Sequence, residues 1–168
     1  MTVTTSYADG VTVYEGGKLY VANDLGSKAE IRGADGGNAV YNFGYANLTN
    51  ANLNGGSNGL YNDATGTAIV YGGTFQGRNN AGIYNEAFKG ITGDLHGGAG
   101  AVPYGLVINF GADNVTSTTI TGSKYGIYNS GRAYLDNLFI QTSNSGSETA
   151  IYTTANPNRT KPEEDSYL

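Results

Sequence analysis

The sequence predicts an all-β protein, a right-handed parallel β-helix of about seven coils with roughly 22 residues in each. Three observations support this prediction. The composition is rich in Gly and Asn, a short motif recurs at nearly constant spacing, and short β-prone runs alternate with Gly, Asn and Ser.

The composition excludes several protein classes. Gly accounts for 27 of the 168 residues, more than twice its usual share of about 7%. Only 14% of the residues are charged, where about 25% is usual, and there are 3 Pro. Gly costs about 1 kcal/mol against Ala inside a helix, which disfavours a helical protein. Collagen is excluded because no Gly-X-Y period is present. A hydrophobic share of 39% with a net charge of −5 excludes disorder driven by charge repulsion.

Charge and cysteine content also limit the partners. The net charge of −5 argues against a nucleic-acid surface, and the absence of Cys excludes disulfides and thiolate metal sites. No apolar run reaches about 18 residues, so we expect no membrane insertion within this segment. Residues 1–6 lack the basic and apolar regions of a signal peptide, so we expect a mature or excised segment. We expect neither a metal nor a cofactor.

A small residue, an aliphatic residue, Tyr and Asn recur in this order. Clear copies begin at Ala39, Gly59, Gly82 and Gly126. With weaker copies included, the aliphatic positions are Leu19, Val40, Leu60, Ile83, Leu106, Ile127 and Ile151. Their spacing of 20 to 24 residues is too variable for a left-handed hexapeptide solenoid, which would need a strict period near about 18.

Each repeat contains more than one β-prone run. After the copy that begins at Gly59 come Ala68–Tyr71 and Gly73–Gln76, which are separated by Gly. Three short strands in each repeat make one coil of a β-helix. We expect residues 1–16 to form an N-terminal cap or first partial coil, 17–155 the β-helix, and 156–168 a polar tail.

Stacking of the coils places equivalent residues in columns. Because side chains alternate along a strand, the aliphatic position points inward, Tyr points outward, and Asn points inward at a corner. Side-chain amides at such a corner can bond from coil to coil, and Asn tolerates left-handed backbone there. The predicted Asn ladder comprises Asn42, Asn62, Asn85, Asn109 and Asn129.

The segment Gly126-Ile127-Tyr128-Asn129-Ser130-Gly131, followed by Tyr134–Asn137, resembles coils of right-handed parallel β-helix proteins. The stretch Thr12–Val21 is similar to passenger repeats of self-associating autotransporter adhesins. The resemblance covers about residues 10–153 and implies a bacterial surface or secreted protein. A phage tail-spike domain is an alternative that the same coil pattern permits.

The outward Tyr column is the first candidate site. It comprises Tyr41, Tyr61, Tyr84, Tyr128 and Tyr152, with Val107 expected to interrupt it. Exposed rings at coil spacing can stack on sugars or contact another protein. Alternatively, Tyr simply suits a half-exposed strand position and packs against its neighbours.

Two carboxylates, Asp63 and Glu86, each follow a motif Asn and are expected in adjacent coils. Such a pair could act in acid–base catalysis, as in a retaining glycosidase. The simpler interpretation is two solvated corner residues.

Two further candidates are weaker. His96, the only His, lies near Asp94 and suits either a catalytic or metal-binding pair or a structural role. The Thr-rich run Thr116–Thr121 is compatible with an ice-binding array, although neighbouring coils do not repeat it.

The expected function is therefore adhesion, by self-association or by receptor or glycan contact through a lateral face, on the cell surface or outside the cell. Many weak contacts repeated in each coil would add up along the rod. The alternatives are a polysaccharide lyase or glycosidase, a tail-spike domain and an ice-binding solenoid.

Overall fold

The computed structural model describes residues 2–22, 29–87, 105–109, 118–142 and 148–154. These residues form strands and turns and contain no helix. Every strand pairing is parallel, and the strands stack as a β-helix of about five turns. The predicted fold class is therefore confirmed.

One sheet contains the recurring motif. Its six strands, which we call the first face, are β2 (Val11–Val13), β5 (Val40–Asn42), β7 (Leu60–Asn62), β9 (Ala81–Asn85), β12 (Tyr125–Asn129) and β15 (Thr149–Thr153). The other nine strands of the described segments form a second sheet. They are β1 (Thr2–Thr4), β3 (Lys18–Ala22), β4 (Ala29–Arg32), β6 (Tyr45–Gly55), β8 (Thr67–Gly77), β10 (Leu106–Ile108), β11 (Thr118–Gly122), β13 (Ala133–Leu135) and β14 (Leu138–Thr142).

The nine-stranded sheet bends and supplies two more faces. The first half of β6 pairs with β3 and its second half with β4, while β8 pairs with β10 and then with β11. The bends lie at Asn50, with φ of 50°, and at Gly72 and Gly73, with φ of 68° and 106°. Gly and Asn are the residues that adopt this left-handed backbone at least cost. We call the half before the bend the second face and the half after it the third face.

The core column of the first face differs from the predicted one at two positions. Register aligns Val11, Val40, Leu60, Ile83, Ile127 and Ile151. Leu19 and Leu106 instead belong to the second face, where they pair with Ala46 and Ala68. The prediction of seven coils was therefore too high, because two of the counted motif copies, at Leu19 and Leu106, lie on another face. The strand at Val11, which the motif did not predict, belongs to the first face.

Side-chain volume explains the position of Leu106. It is fully buried, and its register partners in the two adjacent coils are Ala68 and Ala133. A large residue between two small ones fills the second face without overpacking. On the first face the neighbours would be the larger Ile83 and Ile127.

An Asn ladder runs along the corner that follows the first face. Nδ2 of Asn42 donates to Oδ1 of Asn62, Asn62 donates likewise to Asn85, and Asn85 to Asn129, each at 2.8 Å. All four side chains are fully buried. Since buried amides need partners, the ladder satisfies donors and acceptors from coil to coil.

Asn109 was wrongly placed in this ladder. It follows β10 on the second face, with φ of 58°, and so forms the bend toward the third face. Its Oδ1 accepts from the Gly72 amide at 3.0 Å, and its Nδ2 donates to the carbonyls of Asp136 and Asn137 at 2.9 and 2.8 Å. Asn109 is a corner residue as expected, but at a different corner.

A second row of polar side chains precedes the first face. Asn80 donates to Asn58 at 3.0 Å, Asn58 to Asn38 at 2.8 Å, and Asn38 to Asp9 at 3.0 Å. This row was not predicted, although an Asn stands one or two residues before the motif in each of those coils. Asp9 links residues near the chain start to the next coil, and β1 and β2 form part of the first coil. The predicted tail, 156–168, lies outside the described residues.

Candidate binding surfaces

The five motif Tyr side chains form one continuous row on the outside of the first face. Centroid distances are 4.7 Å between Tyr41 and Tyr61, 4.8 Å between Tyr61 and Tyr84, 4.3 Å between Tyr84 and Tyr128, and 5.2 Å between Tyr128 and Tyr152. The last three pairs are stacked, with interplanar angles of 15°, 9° and 22°. Most ring faces in the row therefore contact another ring.

The expected interruption of this row does not occur. Val107 lies on the second face, where it pairs with Ile69 and Tyr134. Tyr84 consequently pairs directly with Tyr128.

Burial raises the pKa of the tyrosines in the middle of the row. The pKa of Tyr61 is raised first by burial and then by its hydrogen bond to Glu86, whose Oε2 accepts from the Tyr61 hydroxyl at 2.8 Å. The pKa of Tyr84 is raised by burial and by the neighbouring Tyr128. These hydroxyls stay protonated because an anion between packed rings would be poorly solvated.

Asp63 and Glu86 both lie at the corner after the first face, in adjacent coils. Their amides donate to the carbonyls of Asn42 and Asn62, each at 2.9 Å. The Asp63 carboxylate accepts from the amide of Thr65 at 3.3 Å and from its hydroxyl at 3.4 Å, whereas Glu86 accepts from Tyr61. Each carboxylate thus has a distinct local role in a turn or in the Tyr row.

The third face carries a different surface, made of polar side chains in two columns. One column contains Thr2, Glu30, Asn52, Thr74 and Thr119, and the other contains Thr4, Arg32, Asn54, Gln76, Thr121 and Gln141. We call these eleven residues the polar face. Phe139, which is 56% exposed, occupies the next register position of the first column, beside Thr119. Neighbours within a column are about 4.8 Å apart along the rod, and the two columns are separated by two residues of strand, about 6.6 Å.

The sequence contains a signal for the polar face, which was not among the predicted sites. Each of its strands contains a triplet with a buried or half-buried apolar residue between two outward residues, as in Glu30-Ile31-Arg32, Asn52-Leu53-Asn54 and Thr74-Phe75-Gln76. Alternation of this kind is typical of a strand with one face in the core.

Several side chains of the polar face already have fixed orientations. Nε and Nη2 of Arg32 both contact Oε1 of Glu30, at 2.9 and 2.8 Å. Asn54 donates to Gln76 at 3.2 Å in the next coil. Asn52 and Thr74 form no side-chain hydrogen bond to another described residue.

A shallow groove of about 520 Å³ runs over this surface. Its lining includes Thr2, Glu30, Asn52, Thr74 and Gln76. A neighbouring depression of about 310 Å³ is lined by Arg32, Asp35 and Arg78 among others, and Asn54 lines both. The third face therefore offers a concave, polar surface that extends over several coils.

The remaining candidates are placed only in part. His96 and Asp94 lie outside the described residues, as do Thr116 and Ser117 of the Thr-rich run. Thr118 is buried, while Thr119 and Thr121 point outward on the polar face beside Thr74 and Gln76. Thr therefore alternates with other polar residues in these columns.

Within the described ranges, no group of three or more His, Cys, Asp or Glu side chains is arranged to hold a metal ion. No helical segment in that part of the chain has the length and apolar character needed to cross a membrane.

Comparisons of the chain with protein-family models, with curated protein sequences and with solved structures give no match.

Proposed function

We propose that this chain is a secreted or surface-exposed β-helical adhesin that contacts a glycan through the polar face. The observation that carries the proposal is the polar groove, which is lined by side chains from both columns over four successive coils. The backbone groups of the strands are used in sheet pairing, so a glycan must be recognised by the outward side chains, which occupy equivalent positions in successive coils. Sugar hydroxyls both donate and accept, as do the Asn, Gln and Thr side chains in the groove.

The rings of the Tyr row are a weaker candidate for sugar stacking. Stacking needs an accessible ring face, and in this row most faces contact the next ring. Packing of the rings against one another is sufficient to explain the row, because aromatic pairs in this geometry contribute about 0.5–1.5 kcal/mol to stability beyond the burial of their area. We therefore assign the row to stability and the polar face to binding.

The groove is better suited to binding a glycan than to hydrolysing it. Glycoside hydrolysis commonly uses two carboxyl groups on either side of the scissile bond. Among the described residues that line the groove, one carries a carboxylate, Glu30, and it is paired with Arg32. Asp63 and Glu86 lie at a corner of the other sheet and do not line this groove.

The affinity would arise from repetition. Each coil offers one or two hydrogen-bonding side chains, which individually contribute little because they exchange bonds with water. A linear polysaccharide that lies along the rod would engage several coils at once, so weak contacts would add.

Affinity electrophoresis in gels that contain soluble neutral polysaccharides tests the proposal, with dextran, galactomannan and xyloglucan as probes. We expect at least one to retard the protein. The double variant Asn52→Ala/Thr74→Ala should bind it at least about tenfold more weakly, because two groove contacts are lost. Thr12→Ala/Thr149→Ala, on the first face, is the matched control and should bind like the parent.

Two results would overturn the proposal. One is the absence of retardation by these three probes and by an acidic polysaccharide, polygalacturonate, run beside them, and the other is undiminished binding by the Asn52/Thr74 variant. Sedimentation velocity over a concentration series adds an independent outcome. A dimer that disappears in that variant would assign the polar face to self-association instead.

A further inference from the structure

The side chain of Arg78 is held in place by the main chain. It follows β8, and its Nη2 donates to the carbonyl of Gly33 at 3.2 Å, while Nε donates to that of Gly55 at 3.4 Å. Register places Gly55 one coil away and Gly33 two coils away. The guanidinium therefore lies along the rod and reaches the coil that contains Arg32.

Two guanidinium groups consequently share one depression beside the polar groove. Arg32 and Arg78 both line it, together with the hydroxyl-bearing residues Thr4, Thr5 and Ser6. This cluster combines two cations with small donors. Planar guanidinium groups suit the paired oxygens of a carboxylate or a sulfate.

The acidic partners of the two Arg residues differ in how firmly they are held. Arg32 is paired at 2.8 Å with Glu30 on the same strand. Arg78 lies 3.3 Å from Asp35, whose side chain is 91% exposed. An exposed ion pair of this kind contributes little, because solvent screens it and both side chains lose freedom. An incoming anion can displace Asp35, whereas the two carbonyls keep Arg78 in place.

We infer that this depression is an anion subsite, and that the glycan bound by the polar face is an acidic one, with a carboxylate or sulfate that contacts Arg78 and Arg32. The inference rests on the proposed glycan-binding function. Asn54 lines both the groove and the depression, so one saccharide chain can occupy both. The neutral part of the chain would lie over Asn52 and Thr74, and the charged group would lie beside Arg78.

The net charge of −5 does not oppose such binding at physiological salt. Exposed charges farther apart than about 8 Å are largely screened at 0.15 M ionic strength. The local arrangement of Arg78, Arg32 and Asp35 therefore decides the affinity. Electrostatic steering from a distance is not required.

Binding of oligosaccharides at fixed ionic strength tests the inference. The probes are oligogalacturonate, which carries carboxylates, a sulfated galactan oligosaccharide, and a neutral galactan oligosaccharide of matched length. We expect one or both acidic probes to bind at least about tenfold more tightly than the neutral one. The comparison of the two acidic probes identifies the anion that is preferred.

Three variants separate local contacts from net charge. Arg78→Gln should lower affinity for the acidic probe about tenfold and leave the neutral probe unaffected. Lys124→Gln removes the same charge at an exposed position elsewhere, and should change affinity by less than about twofold. Asp35→Asn removes the competing carboxylate and should increase affinity about two- to fivefold. Equal weakening by Arg78→Gln and Lys124→Gln would overturn the inference.

A second measurement keeps this inference separate from the proposed function. Titration with galacturonate and with inorganic sulfate, followed through the Nε–Hε resonances of Arg78 and Arg32 in NMR spectra, reports the subsite directly. Saturable shifts that Arg78→Gln abolishes would support the subsite even if no polysaccharide binds, in which case only the glycan proposal fails. A neutral polysaccharide that binds while neither anion shifts these resonances would overturn the anion subsite and leave the glycan proposal standing.

Discussion

The hydroxyl of Tyr61 donates a 2.8 Å hydrogen bond to Oε2 of Glu86, which follows the next strand of the first face. The bond connects the Tyr row to the corner beside the Asn ladder. The bond also gives Glu86 a structural role at this corner, because its carboxylate accepts the hydrogen bond of a partly buried phenol.

Removal of that carboxylate should have a small, measurable effect. We expect Glu86→Ala to lower the free energy of unfolding by about 1 kcal/mol, since one hydrogen bond is lost at a half-exposed site. Glu86→Gln keeps an acceptor and should lose less. Urea unfolding followed by circular dichroism measures both changes. Glu15→Ala, at an exposed turn, is the control, and an equal loss there would contradict the assigned role.

Alkaline pH should destabilise the fold through the Tyr row. The raised pKa values of Tyr61 and Tyr84 mean that the folded protein keeps protons that the unfolded chain has lost above about pH 10. The stabilisation is complete below that pH and is lost as the pH rises further. Thermal unfolding between pH 8 and 12 measures this trend, and absorbance at 295 nm reports the late ionisation.

The Tyr84→Phe variant tests the origin of the alkaline effect. It keeps the ring but removes the ionisable hydroxyl, so stability should fall less steeply above pH 10 than in the parent. Tyr7→Phe is the matched control, because Tyr7 is 98% exposed. If both variants follow the parent curve, the alkaline transition has another cause.

The centre of the Asn ladder should be sensitive to substitution. Asn62 accepts from Asn42 and donates to both Asn85 and the carbonyl of Gly105, all within the core. We expect Asn62→Ala to cost about 3–5 kcal/mol, because several buried groups lose their partners at once. Asn52→Ala, the same change on the polar face, should cost less than about 0.5 kcal/mol. Similar losses at the two positions would contradict the ladder.

The assignment of Leu106 to the second face can be tested by exchanging volumes. Leu106→Ala should destabilise by about 2–5 kcal/mol through the cavity that it leaves, and Ala68→Leu should destabilise by about 1–3 kcal/mol through overpacking. Because the two residues are register partners, the double exchange should cost less than the sum of the single changes. Strict additivity would indicate that they do not pack together.

Local pattern was sufficient for much of this molecule. Val40, Leu60, Ile83 and Ile127 could be placed in one inward column because strand alternation and a fixed motif set their orientation. The Tyr row followed from the same alternation. Four of the five Asn residues assigned to a ladder are joined by hydrogen bonds because the motif repeats its corner together with its strand.

The sequence by itself therefore determined the β-helix, the inward and outward positions of the motif strands and the row of tyrosines, all of which depend on neighbouring residues. Only the tertiary structure decided which face each strand joins. The copies at Ile83 and Ile127 are 44 residues apart, and the motif-like Leu106 between them packs on the second face because Ala68 and Ala133 leave space there. The proximity of Arg78 to Arg32 likewise depends on the stacking of coils, since a contact across two coils has no counterpart in the local sequence.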